Sequence, residues 1–292
     1  MKFDRSKVAI VAIIVQFAGS YTMARADEPM KKGNYSLVGT GPGDPDMMTI
    51  RALKTIENAD VIFCNPGMAK RFESLLAGKQ VHLNRWGRVP FYGLSIDQVH
   101  PADKEEYQRI VPLRDEFVRK VRQFVSEGKS VVVMDNGDPM IYGPYTWTLE
   151  EFEDLAPVVV AGLSSFNAGN ATLRKSVTNS RSTKSVTITA TDKFGRTDSI
   201  ETLSKVRNSM VLFTMRDEFE SFVKALSVNY PPDTPIAIVR NAGYREKESV
   251  TRTTLDKAMD EVKSDSLNFE YLIYVGEFLD FRYKKDAQPI VP

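Results

Sequence analysis

The sequence predicts two successive α/β domains, the first on a mostly parallel sheet and the second on a mixed, largely antiparallel one. Three observations carry this. Up to about residue 155 short apolar runs alternate with helix-length amphipathic segments, the rhythm of βαβ units. Three runs, at 35–38, 130–134 and 158–160, each end in a small-residue loop that opens a helix, which gathers their loops along one sheet edge. Past Pro157 the runs come closer together, and the stretch Asn241–Lys247 reads as a hairpin turn.

At the amino terminus Lys2, Arg5 and Lys7 precede an apolar run from Val8 to Ala18, and Ala24-Arg25-Ala26 follows. This order reads as an export signal over residues 1–26, cleaved after Ala26. The run is shorter than the about 20 residues of a membrane span. The folded chain is therefore expected outside the cytoplasm, periplasmic and without a stable membrane span; an uncleaved anchor is the alternative. Domains are expected at 33–155 and 156–285, with no flexible linker.

In the first domain strands are expected at 35–38, 61–64, 81–83, 130–134 and 158–160. SVVVM at 130–134 is apolar throughout, as a strand buried on both faces must be. Helices are expected at 46–58, 69–77, 104–126 and 145–152. The third carries Tyr107, Ile110, Val111, Arg114, Phe117, Val118 and Val121 at steps of three and four, one face of a helix. Pro112 lies inside it and predicts a kink or break. In the second domain strands are expected at 185–190, 210–214, 236–240, 250–254 and 271–275, with helices at 164–173, 199–206, 218–226 and 255–262.

Composition excludes several functions. Net charge is +1, and without residues 1–26 the acidic residues outnumber the basic, 37 to 35, so no basic surface argues for nucleic acid. One cysteine, Cys64, excludes an internal disulfide and a cysteine-based zinc site. His82 and His100 have no metal-ligand spacing, and no metal is expected.

The stretch YSLVGTGPGDPD, residues 35–46, holds the strongest signal. Glycines at 39, 41 and 43 around Pro42 let the backbone approach a ligand closely. Asp44 is expected to cap the next helix, with Pro45 in its first turn. The Walker loop is absent, and G-x-G-x-G is not the dinucleotide fingerprint G-x-G-x-x-G. Two further loops, DNGDPMIYG at 135–143 and AGLSS at 161–165, follow buried-type strands.

VGTGPGDPDMMTIRALKTIENADVIF, NGDPMIYG, VAGLSS, SMVLFTM and TPIAIVRNAG together resemble the tetrapyrrole methylases, S-adenosylmethionine-dependent enzymes of sirohaem and cobalamin synthesis, over about residues 34–280. The resemblance implies a cofactor cleft between the two domains, S-adenosylmethionine as cofactor, a tetrapyrrole as small-molecule acceptor, and a homodimer. Carried over by position, Pro42, Gly43 and Asp44 form one wall of the cleft. Asn136, Gly137, Asp138 and Ile141 contact the amino-acid or ribose part. Ser164 and Ser165 lie near the methionine moiety, and Met215 and Ala242 around the adenine. Each has a plainer reading: Asp138 as the cap of its own turn, Met215 as core, the serines as helix caps.

The chain also departs from the family. Asn65 stands where uroporphyrinogen methylases often carry an acid, and an amide cannot serve as general base. Ala161 replaces the proline of a PGISS-like motif, and Thr191-Asp192-Lys193 replaces a TGH-like one. No catalytic residue is assigned. Arg88 and Arg114 are weak candidates for pairing with acceptor carboxylates, and Tyr92 and Tyr107 for stacking on a macrocycle. Two other functions stay open: an exported tetrapyrrole-binding protein without catalysis, and a methylase of another acceptor such as a peptide.

Overall fold

The computed structural model describes residues 33–84, 91–190, 197–213, 218–262, 267 and 271–286. The export-signal reading, Arg88, Thr191-Asp192-Lys193 and Met215 lie outside these residues. Among them no helix is long and apolar enough to cross a membrane.

The first sheet contains β1 (Tyr35–Gly39), β2 (Val61–Cys64), β3 (Gln80–Leu83), β4 (Val131–Asp135) and β5 (Val158–Val160), in the order β3-β2-β4-β1-β5. Every pair is parallel. Between the strands run α1 (Ile50–Glu57), α2 (Pro66–Arg71), α3 (Glu73–Leu76), α4 (Lys104–Ser126) and α5 (Trp147–Glu151). Both faces are covered. Val38, Ile62, Val132 and Met134 pack against Ile56 of α1, Met68 of α2 and Leu76 of α3. Leu37, Phe63, Val131 and Val133 pack against Ile110, Phe117 and Val121 of α4. Full burial of the Val131–Met134 side chains contributes roughly 1.5–3 kcal/mol each, which explains the unbroken apolar run.

The second sheet contains β6 (Val186–Thr189), β7 (Ser209–Phe213), β8 (Pro235–Arg240), β9 (Ser249–Thr254) and β10 (Tyr271–Val275), in the order β6-β7-β10-β8-β9. Only β6 and β7 pair in parallel, so the sheet is mixed as expected, and β8–β9 is the expected hairpin. One face packs on α7 (Ile200–Ser204), α8 (Phe219–Ser227) and α9 (Ala258–Glu261). The other packs on α6 (Ser165–Leu173) and on Phe278 and Leu279. A short α10 (Tyr283–Asp286) follows.

β5, the strand expected at 158–160 in the first domain, bonds in parallel to β1, so the first sheet takes in residues up to Val160. Two expectations change. α4 runs unbroken through Pro112; Pro112 and Gln108, whose carbonyl loses its donor, are both exposed, so that carbonyl is open to solvent rather than buried unpaired. The helix expected from residue 46 starts instead at Ile50. Thr49 is its cap, accepting from the Ala52 amide at 3.1 Å, while Asp44 makes no cap bond.

Candidate active site

β1, β4 and β5 are neighbours, so their carboxyl-end loops meet, as the alternation of strand and loop predicts. Thr40 N and Oγ1 both donate to Asp135 O at 2.9 Å. Gly41 and Gly137 then form an isolated antiparallel bridge, Gly41 N to Gly137 O at 3.2 Å and Gly137 N to Gly41 O at 3.1 Å. The loop after β5 closes from the other side. A Cβ on Gly162 would stand 2.0 Å from Gly137 O, so only glycine lets the two backbones touch.

The hairpin turn of the second domain docks on the same place. Asp44 N donates to Gly243 O at 2.9 Å, and Arg245 N donates to Asp44 Oδ2 at 2.9 Å. A Cβ on Gly43, whose φ is +76°, would meet Gly243 C at 2.1 Å. The Arg245 guanidinium reaches Asp46 at 2.8 Å. Arg71, at the end of α2, donates to Asn136 Oδ1 at 3.0 Å and to the Tyr244 hydroxyl, and lies 5.1 Å over the Tyr244 ring. On the other flank Tyr142, at φ +59°, places its ring 4.8 Å from that of Phe213 in β7.

Pro42, Gly43, Asp44, Asn136, Gly137, Asp138, Ile141, Ser164, Ser165 and Ala242 therefore lie on four loops joined by direct contacts. Pro42 and Gly137 are buried, Asn136 is exposed, and Ala242 is half-buried against the second core. The plainer readings hold as local geometry. Asp138 Oδ1 accepts from Met140 N at 2.9 Å. Ser164 caps α6, with Oγ accepting from Phe166 N at 3.2 Å and Asn167 completing a capping box. A Cβ on Gly137 would stand 3.7 Å from Leu163 O and 3.9 Å from both Ser164 Cα and Ser165 N, where α6 begins. The positive end of α6 is thus turned to this junction.

Tyr107 and Arg114 serve a different place. Tyr107 Oη donates to Leu94 O at 3.0 Å, and Arg114 Nη1 donates to Phe91 O at 2.9 Å. Both hold the turn 91–94, where Phe91 has φ +50°. A groove of about 500 Å³ beside it, lined by Tyr92, Arg114, Arg122 and Glu151 among others, shares no residue with the four loops. Asn65 caps α2, accepting from Met68 N at 2.9 Å.

Sequence reasoning missed Arg71, Tyr244, Arg245 and Asp135. Asp135 ends β4 with its carboxyl buried. Burial pushes it up to about 7, helped by Asp138 and opposed by the Asn136 amide. Tyr145 nearby is pushed up to about 12, again by burial. The sign in the sequence was a charged residue closing an all-apolar strand.

Residues 36–259 match the family model of Tetrapyrrole (Corrin/Porphyrin) Methylases. The chain belongs to the tetrapyrrole methylases, and it is a methyltransferase. It is 29% identical over 255 residues to a cobalt-precorrin-4 C(11)-methyltransferase of Methanocaldococcus jannaschii, covering 85% of this chain and 88% of that one. A solved cobalt precorrin-4 methyltransferase of cobalamin biosynthesis matches with TM-score 0.67 and 23% identity, covering 85% of this chain and 96% of the other. Uroporphyrin-III C-methyltransferase from Thermus thermophilus, solved with S-adenyl homocysteine, matches with TM-score 0.62 and 19% identity over 85% and 99%. These two likenesses concern the fold, which this chain shares with other tetrapyrrole methylases.

Proposed function

We propose that the chain transfers a methyl group from S-adenosylmethionine to a carbon of a tetrapyrrole or corrinoid precursor. The observation that carries this is the Gly41–Gly137 bridge, which fixes the GPGDP and NGDP turns to each other beside the α6 terminus and the docked hairpin. The residues suit the cofactor. Backbone groups of Pro42–Asp44 and Asn136–Asp138, with Ser164, Ser165, Ile141 and Ala242, offer neutral polar and small apolar surface. The α6 terminus suits a carboxylate. A sulfonium methyl is already electrophilic, so the protein has mainly to hold the acceptor in line and shed water.

Titration calorimetry of the purified protein with S-adenosylmethionine and S-adenosylhomocysteine tests the reading, and no heat of binding from either ends it. Transfer of labelled methyl to uroporphyrinogen III or cobalt-precorrin-4 then identifies the acceptor class. The matches to a precorrin-4 and a uroporphyrin-III methyltransferase support either. The amide at Asn65 favours a second reading, a binding protein that shifts the spectrum of a tetrapyrrole without methylating it; any turnover excludes it. Reading residues 1–26 as an export signal implies a protein outside the cytoplasm, and mass spectrometry of the mature amino terminus checks the cleavage after Ala26.

A further inference from the structure

Arg71 closes α2, and its backbone is anchored on either side by Met68 and Phe72, both buried in the core on one face of the first sheet. Its guanidinium reaches across the molecule. It lies 5.1 Å from the centre of the Tyr244 ring and 5.9 Å from that of Phe72, where a cation is attracted to the ring. Nη2 donates to the Tyr244 hydroxyl on the hairpin of the second domain, and Nη1 donates to Asn136 Oδ1 in the NGDP turn at 3.0 Å.

A guanidinium has donors and no acceptor, so only the carbonyl oxygen of the Asn136 side chain can face it. The amide is therefore oriented, with Nδ2 and its hydrogens turned away from Arg71. Asn136 is exposed, and among the described residues Nδ2 has no partner. The Asn136 backbone N–H is already given to the Asp135 carboxyl, and Gly137 beyond it is held by the bridge to Gly41. What Asn136 still offers a ligand is its side-chain amide donor, on a turn fixed at both ends.

Resting on the methyl-transfer reading, we infer that Arg71 is a positioning residue of the cofactor site: it turns the Asn136 amide so that Nδ2 donates to an oxygen of the bound cofactor, on its ribose or its carboxylate. A free asparagine side chain presents either end of its amide. The wrong end sets Oδ1 toward the ligand, where a carboxylate finds no donor. Holding the right end outward before the ligand arrives removes that arrangement, which is preorganisation of a binding group.

Calorimetric titration with S-adenosylhomocysteine, with Tm measured beside it, tests this. Arg71→Ala should weaken binding about tenfold, the worth of one hydrogen bond. Asn136→Ala should do the same, and adding Arg71→Ala to it should change affinity by less than about twofold, because both act through one amide. Asn136→Asp gives Arg71 a carboxylate to pair with but removes the N–H donors, so Tm should hold or rise while affinity falls about tenfold. A merely structural contact would move the two together. Tyr244→Phe keeps the ring and the Arg71–Asn136 bond, and affinity should stay within about twofold. 5′-Methylthioadenosine keeps the ribose and lacks the carboxylate: a loss that it shares places the oxygen on the ribose, and a loss confined to S-adenosylhomocysteine places it on the carboxylate. Unchanged affinity in Arg71→Ala overturns the assignment. So does a second full loss when it is added to Asn136→Ala, or a loss in Tyr244→Phe equal to that in Arg71→Ala. If the unsubstituted protein binds neither S-adenosylmethionine nor S-adenosylhomocysteine, the methyl-transfer reading fails instead, and this assignment falls with it.

Discussion

At the scale of single residues, the energetic cost of Asp135 has a sign that can be measured. An unfolded chain releases this proton near 3.8, and the folded chain holds it to about 7. Between those values the folded state binds more protons, so stability falls as pH rises and levels off beyond the upper value. At 1.36 kcal/mol per unit the loss is on the order of 4 kcal/mol at most. Denaturant unfolding from pH 4 to 8 should show that decline in the wild type and a flatter curve in Asp135→Asn. Gly162 is a second such position. Alanine there meets Gly137 O at 2.0 Å, and overpacking of this kind costs typically 1–3 kcal/mol. Gly162→Ala should lower Tm and weaken S-adenosylhomocysteine binding together. The glycine of GPGDP was legible as a close-approach position from spacing alone. Asp135 was not, because a strand-terminal acid looks solvent-facing until the loop above it is seen to fold back.

At the scale of elements, the strands were largely legible, and the first turn after β1 was misread for a clear reason. Asp44 before Pro45 has the grammar of a helix cap, but its carboxylate accepts the Arg245 amide instead, a partner 201 residues away that local spacing cannot reveal. The two roles separate experimentally. Thr49→Ala should destabilise α1 by about 1 kcal/mol with cofactor affinity little changed. Asp44→Ala should reduce S-adenosylhomocysteine affinity about tenfold, or 1.4 kcal/mol, with a smaller fall in Tm. Chemical denaturation and calorimetry on both variants decide it. Val158–Val160 was legible too: it follows the first domain's helices and bonds in parallel to β1, the pairing that the strand–helix alternation implies.

At the scale of the whole molecule, two sheets with separate cores meet through loops, and the cofactor is expected to bind where they meet. A ligand that binds only the folded form at a hundred times its Kd adds about 2.7 kcal/mol. Saturating S-adenosylhomocysteine should therefore raise Tm by several degrees and hold both sheets in a single transition by calorimetry. The docking of Gly243 on Gly43 has a further consequence for anyone who dissects the gene. A fragment ending after residue 160 keeps GPGDP and NGDP but has no hairpin tip to lie against, and the complementary fragment presents that tip to nothing. Neither half should retain the ligand when expressed alone, whereas co-expressed halves should reassemble by complementation, because the seam between them joins the Asp44–Gly243 main-chain bond to side-chain contacts of Arg71, Arg245 and Tyr142, none of which needs a peptide link to align.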